Sequence, residues 1–192
     1  NNKEFINYFT PGKDVIGMLK LDGLTCSLRY VDGKLVSAET RGNGIIGEDI
    51  LHNAKVIPSI PNHIIYDEEL ILDGEVICTE ENFKPFSETY ANSRNFASGS
   101  IRLLDSKECA ERHLTFVVWN VIKGFNEVDS FCAKLAAVES LGFEVVPWTS
   151  SFDWDAKDFL IEQAQELGYP IDGLVGRFDD IAFGGSLGNT AH

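Results

Sequence analysis

The clearest signal in the chain is a change of hydrophobic period. After about fifteen residues comes an apolar stretch through Met18 and Leu19, which predicts a strand with Lys20 at its end. From residue 24 the pattern alternates: Leu24, Cys26, Leu28 and Tyr30 interleave with Thr25, Ser27 and Arg29, the period of a half-buried strand. Asp32-Gly33 is the turn that closes a hairpin, because both residues tolerate positive φ, and Val36, Ala38 and Thr40 continue on the return strand. A glycine-rich turn at Arg41-Gly42-Asn43-Gly44 precedes a short helical stretch over 47–53. Residues 69–78 read as another strand, followed by Thr79 as the N-cap of a helix carrying Phe83. The nearly continuous apolar run 114–122 predicts a central strand. Two helices are expected, over 130–141 stopped by Gly142 and over 155–167 stopped by Gly168. Val175 and Phe178 belong to a late strand. Hairpins interspersed with helices give an α+β class with mainly antiparallel sheets. There is no internal repeat, low-complexity tract or Pro/Gly-rich linker, so 1–192 reads as one domain.

Composition narrows the function classes. With 192 residues, 44% hydrophobic and 24% charged, the chain suits a packed core that buries about 70% of the unfolded surface without a disulfide or metal staple. The formal charge is −14, and 28 residues from 153 to 180 hold eight carboxylates against Lys157 and Arg177. Repulsion from phosphates therefore disfavours strong nucleic-acid binding by this chain alone. No apolar run approaches the ~20 residues that span a bilayer, so no membrane partner is expected. Cys26, Cys78, Cys109 and Cys132 lack metal-knuckle spacing, and His52, His63, His113 and His192 lack ligand spacing; no zinc is expected. Cys26 and Cys78, in apolar runs, read as small buried hydrophobes in a reduced, cytoplasmic protein. The chain begins with Asn1, which points to a fragment of something longer.

The chemistry concentrates in Met18-Leu19-Lys20-Leu21-Asp22-Gly23. Lys20 and Asp22 share strand parity, so both can face one cavity, and Gly23 lets the backbone turn away. A surface Lys-x-Asp pair before a turn is the competing interpretation, and by itself it would prevail. Four further motifs follow in order, however: Thr40-Arg41-Gly42-Asn43-Gly44-Ile45-Ile46-Gly47-Glu48-Asp49, Asp73-Gly74-Glu75-Val76, Ala91-Asn92-Ser93-Arg94-Asn95-Phe96-Ala97-Ser98-Gly99-Ser100-Ile101-Arg102, and Ile171-Asp172-Gly173-Leu174-Val175-Gly176-Arg177. Over residues 16–190 this series resembles the adenylation (nucleotidyltransferase) domain of bacterial NAD-dependent DNA ligases. The Lys-x-Asp-Gly element is shared with ATP-dependent ligases and capping enzymes; the blocks Thr40–Asp49 and Asn92–Arg102 are much more specific to the NAD-dependent branch.

The resemblance implies a nucleotidyltransferase (ATP-grasp-like) core of two mainly antiparallel sheets with flanking helices and the nucleotide between them. It implies that Lys20 attacks the adenylyl phosphorus of NAD, holds AMP as a phosphoramide, and passes it to a DNA 5′-phosphate so that the nick is sealed. Catalytic roles fall on Lys20, Asp22 and Arg177, and nucleotide contacts on Lys20, Leu21, Gly23, Arg41, Glu75, Trp119, Val175 and Arg177. Glu75 would accept from the ribose hydroxyls, Trp119 would stack on adenine, and Arg177 would touch the phosphate beside Lys20. Arg94 and Arg102 would meet the DNA end or the activated phosphate. Four of the six arginines lie in these motifs, as suits planar, permanently charged phosphate ligands. A nucleophilic lysine also needs burial or nearby cations, since a free amine is almost wholly protonated near pH 7. Mg²⁺ is the implied metal, with Asp22 a candidate ligand and Glu75 a weaker one; Asp22 could instead orient Lys20.

Several positions depart from the family pattern. Met18 stands in place of a glutamate, Asp73 in place of a basic residue, Asn43 in place of an aspartate, Ser93 in place of a proline and Arg177 in place of a lysine. The N-terminal subdomain that reads nicotinamide mononucleotide, the last phosphate-binding motif and the OB-fold and DNA-gripping domains are expected to lie outside this sequence. Two other functions therefore stay open: an ATP-dependent polynucleotide ligase or capping-type enzyme, and an adenosine-nucleotide-binding module without catalysis. The expected setting is a monomer in bacterial or phage-infected cytoplasm, acting on nicked double-stranded DNA through the full-length protein.

Overall fold

The computed structural model describes residues 14–42 and 47–181. Two sheets organise it. A three-stranded sheet has β1 (Val15–Leu21) at its centre, between β7 (Trp148–Thr149) and β8 (Ile171–Phe178), with both pairings antiparallel. A five-stranded sheet runs β3 (Lys34–Thr40), β2 (Leu24–Val31), β4 (Leu70–Ile77), β5 (Thr115–Lys123), β6 (Glu144–Val145). Its pairings are antiparallel except β5 with the two-residue β6, which is parallel. The α+β class and the two mainly antiparallel sheets are thus as expected. The run 114–122 is flanked on both sides, though β4 holds the middle of the sheet.

Local chemistry accounts for the elements. Asp32 and Gly33 have φ of 51° and 77°, the left-handed conformation that a two-residue hairpin turn requires, and Val31 pairs with Lys34 across them. α1 (Leu51–Ala54) is shorter and later than the predicted 47–53 stretch, because residues up to 50 lie along the hairpin edge instead: Ile50 N–H donates to Ala38 O, and Glu39 bridges Asp49. Thr79 caps α2 (Glu80–Phe83) by accepting from Asn82 N–H. α3 (Ser93–Ile101), capped by Asn92, carries the arginine-rich motif; α4 (Ser106–Ala110) follows. α5 (Phe131–Ser140) is capped by Ser130, and α6 (Trp154–Leu167) by Asp153, with Gly168 ending it in the left-handed conformation.

One apolar cluster joins both sheets, from Ile16, Met18 and Leu19 of β1 to Leu28, Leu72, Phe116 and Val118 of the larger sheet. Cys26 and Cys78 are fully buried within it, as small hydrophobes. The sheets are tied where β1 passes into β2. Asp22 N–H donates to Pro170 O, and a Cβ on Gly23 would lie 2.2 Å from the Val76 carbonyl oxygen of β4. No other residue fits that approach without moving the backbone.

Gly23→Ala is therefore expected to destabilise the fold by about 2–3 kcal/mol through overpacking. Gly99, inside α3 with open space around its Cβ position, should gain about 0.5–1 kcal/mol on replacement by alanine. Urea unfolding of the two variants checks both signs.

Candidate active site

The register between β1 and β8 sets the position of Lys20. Ile16, Met18 and Lys20 face Arg177, Val175 and Gly173, so these six positions share one face of the small sheet. The register then slips: Leu21 pairs with Ile171, leaving Asp172 as an extra, unpaired residue of β8. Bulges of this kind re-aim side chains, and the Asp172 carboxylate lies 3.8 Å from Lys20 Nζ. The Lys20 side chain is 60% exposed. Burial, one of the two activating conditions expected for this lysine, is thus not what the structure provides. Asp22 lies just beyond the strand and pairs with Arg94 at 3.8 Å instead of with Lys20. Leu21 and Met18 are buried, and Val175 is partly buried opposite Met18.

The second half of the site is the polar face of the large sheet. Thr25 and Ser27 on β2 stand directly across from Glu75 and Asp73 on β4. Both carboxylates are buried, at 7% and 5% exposure. Glu75 Oε1 accepts from Thr25 Oγ1 at 2.5 Å and from Trp119 Nε1 at 3.2 Å. Trp119 reaches it because β5 is itself bulged: Asp73 pairs with Asn120 and Gly74 with Val118, so Trp119 is the unpaired residue between them. Burial raises the Glu75 carboxyl to about 7; the Thr25 and Trp119 donors pull it down, and the negative charges of Asp172 and Asp22 push it up. Burial likewise raises Asp73, opposed by the Arg41 charge and the Ser27 hydroxyl.

The arginines divide by partner. Arg41 reaches Asp73 at 3.4 Å, so the departure at Asp73 is matched by a cation from the neighbouring loop. Arg94 and Arg102 stand at opposite ends of α3, the latter paired with Glu48 at 3.2 Å and bonded to Ser98. Arg177 sits four residues along β8 from the partner of Lys20, on the same face, with its guanidinium stacked 3.5 Å from the Phe131 ring centroid. Burial lowers its pKa to about 10, partly offset by Cys132 and Asp179, so it stays cationic near neutrality. Arg29 and Arg112, outside the motifs, serve the fold: Arg29 pairs with Glu69 at 2.6 Å, and Arg112 bonds Tyr90 and packs on Phe86 and Phe96.

Lys20, Asp22, Glu75, Trp119 and Arg94 thus converge on one region, while Arg177 and Arg102 approach from further along. Asn43 and Gly44 lie outside the described residues. Asp172 and Thr25 were not singled out by sequence reasoning. The Asp172-Gly173 pair repeats Asp22-Gly23 and was a usable signal; Thr25 became visible only through cross-strand pairing.

The raised Glu75 pKa has a stability consequence. The folded state binds this proton more tightly than the unfolded chain, whose glutamate titrates near 4.3, so the group favours folding below that value and its contribution is lost as pH rises through about 7. Glu75→Gln should therefore gain stability relative to wild type between pH 5 and pH 8, on the order of 2–3 kcal/mol. Urea titrations of both proteins at the two pH values measure the difference.

The comparisons with known proteins bear on the family and the fold. The chain matches the NAD-dependent DNA ligase adenylation domain over residues 6–192. It is 40% identical over 184 residues to a DNA ligase of Helicobacter hepaticus, covering 89% of this chain and 28% of that protein. It is 39% identical to a DNA ligase of Ruminiclostridium cellulolyticum, covering 90% and 28%. The chain thus spans little more than a quarter of the length of these relatives. Among solved structures, a Lig E DNA ligase superposes with a TM-score of 0.51 at 19% identity, covering 92% of this chain and 59% of that one, a likeness of fold. The chain belongs to the NAD-dependent DNA ligase adenylation domain family.

Proposed function

We propose that this chain is the adenylyl-transferring core of a DNA ligase that uses NAD, with Lys20 as its nucleophile. The observation that supports the reading is that Asp172, the carboxylate 3.8 Å from the Lys20 amine, acts electrostatically on Glu75, which is itself bonded to Trp119. Lys20 Nζ forms a bond to the α-phosphorus as the bond to the nicotinamide mononucleotide phosphate breaks, and the mononucleotide leaves with the electron pair. The amine proton passes to an acceptor such as the Asp172 carboxylate, 3.8 Å away. Trp119 offers a π face to adenine and Glu75 accepts from the ribose.

Arg177 completes the phosphate site. Four residues of strand separate its position from that of Lys20, about 13 Å along one face. Two long cationic side chains at that spacing bracket an anion between them. The Phe131 stack restrains the guanidinium and leaves its edge for phosphate oxygens. Arg177 thereby replaces a compact ammonium with a planar fork.

Magnesium fits the donor set: Asp172 offers carboxylate oxygens beside the amine and Asp22 offers them beside Arg94, and among the described residues no cluster of three or more His, Cys, Asp or Glu could by itself enclose an ion. That is the pattern of an ion held largely through substrate phosphates. When bound, it neutralises phosphate charge.

In the second half of the reaction the AMP moves to a 5′-phosphate at a DNA nick, and the 3′-hydroxyl displaces it. Arg94 and Arg102, at the two ends of α3, would meet that phosphate. With a net charge of −14, this segment contributes few of the cations that hold the duplex. Four free thiols, three of them buried, support a cytoplasmic setting.

Incubating the intact protein with magnesium and NAD should add one AMP, detected by mass, and the adduct should be absent in Lys20→Ala. An adduct that survives this substitution, or that forms from ATP and not from NAD, would overturn the reading. Arg177→Ala is expected to slow adduct formation about 100-fold, as loss of one transition-state charge partner does.

A further inference from the structure

Glu75 has two carboxylate oxygens, and among the described residues both hydrogen bonds to its side chain end on the same one. Thr25 Oγ1 donates to Oε1 at 2.5 Å and Trp119 Nε1 donates to Oε1 at 3.2 Å. The two donors come from opposite sides, Thr25 from β2 and Trp119 from the bulge in β5. An indole N–H can only donate, so Oε1 is fixed as an acceptor. A hydroxyl can donate or accept, but Thr25 is β-branched and stands in register across from Glu75, which restricts where its oxygen lies.

We infer that Thr25 is a positioning residue whose hydroxyl, with the Trp119 indole, fastens Oε1 of Glu75 and leaves Oε2 as the acceptor presented to the two ribose hydroxyls of the adenylyl group. The inference rests on the reading of Glu75 as the ribose contact and adds what holds that contact in place. The need for a clamp is physical. Glu75 is 7% exposed, and the charged groups that act on it, Asp22 and Asp172, are both negative. Burial and these two carboxylates favour the protonated acid, which would spend one oxygen as a donor. Only the Thr25 and Trp119 donors oppose them. Asp22 is itself paired with Arg94, and Asp172 with Lys20. Repositioning of the lysine during adenylation would therefore be felt at Glu75.

The experiment combines two readouts. Carbon-detected NMR follows the Glu75 carboxyl through a pH titration in wild type, Thr25→Val, Thr25→Ala and Thr25→Ser. Calorimetry follows AMP binding by the same proteins and by Glu75→Gln. Valine keeps the shape of threonine, and alanine serves if valine perturbs folding. Removing the hydroxyl should raise the Glu75 midpoint by about one pH unit, and serine should restore it. AMP binding should weaken about fivefold at pH 7 in the valine and alanine variants and recover at pH 9, where the carboxyl is mostly ionised in every variant. A purely structural threonine would change stability without moving the midpoint. An unmoved midpoint in both variants, with Glu75→Gln still weakened for AMP, overturns the clamp and leaves the ribose assignment standing. A moved midpoint, with Glu75→Gln binding AMP as wild type does, overturns the ribose assignment instead.

Discussion

The pairing of β1 with β8 constrains everything else in the site. It places Lys20 opposite a glycine, which has no side chain, and it expels Asp172 from the ladder at the next position, so that the Asp172 carboxylate comes within 3.8 Å of the amine. A strand register is an all-or-none property: a shift of one residue would turn Lys20 to the opposite face, toward α6, where even a Cβ on Gly17 would lie 2.6 Å from Phe152 and 3.2 Å from Leu160. The buried faces of Ile16, Met18 and Leu19 hold that register. Burial of apolar residues thus supports the exposure of one polar residue at the end of the same strand.

The electrostatics of the cleft follow from how the two sheets meet. The corner at Asp22-Gly23 brings the small sheet's lysine beside the polar face of the large sheet, where Asp73 and Glu75 are buried. Each acidic group there has a matched partner: Asp22 with Arg94, Asp73 with Arg41, Asp172 with Lys20, and Glu75 with two neutral donors. An incoming dinucleotide would compete for the cations in these pairs. On the proposed function, that exchange of carboxylate for phosphate would let a chain with a net charge of −14 assemble a phosphate site.

Much of the fold was legible because local signals agreed with each other. The period-two alternation over 24–30 and the Asp32-Gly33 turn specify the hairpin independently, and Thr79, Ser130 and Gly168 mark helix ends by capping chemistry that acts within a few residues. The short helix near residue 50 was misplaced because its start is decided by bonds to the hairpin edge, which is tertiary information. At the site, Lys20, Asp22 and Glu75 were legible through ordered motifs. The roles of Thr25 and Asp172 were not, since both depend on register and on a bulge that no single strand records. The family pattern also made Asp73 look like a missing cation, whereas folding supplies one from Arg41, 32 residues away in sequence.

A crystal structure of the protein with AMP bound tests the central claim most directly. The account places the adenine against Trp119, the ribose hydroxyls on Glu75 and the phosphate between Lys20 and Arg177. AMP bound on another surface, or held in the cleft with its phosphate turned away from Lys20, would contradict it.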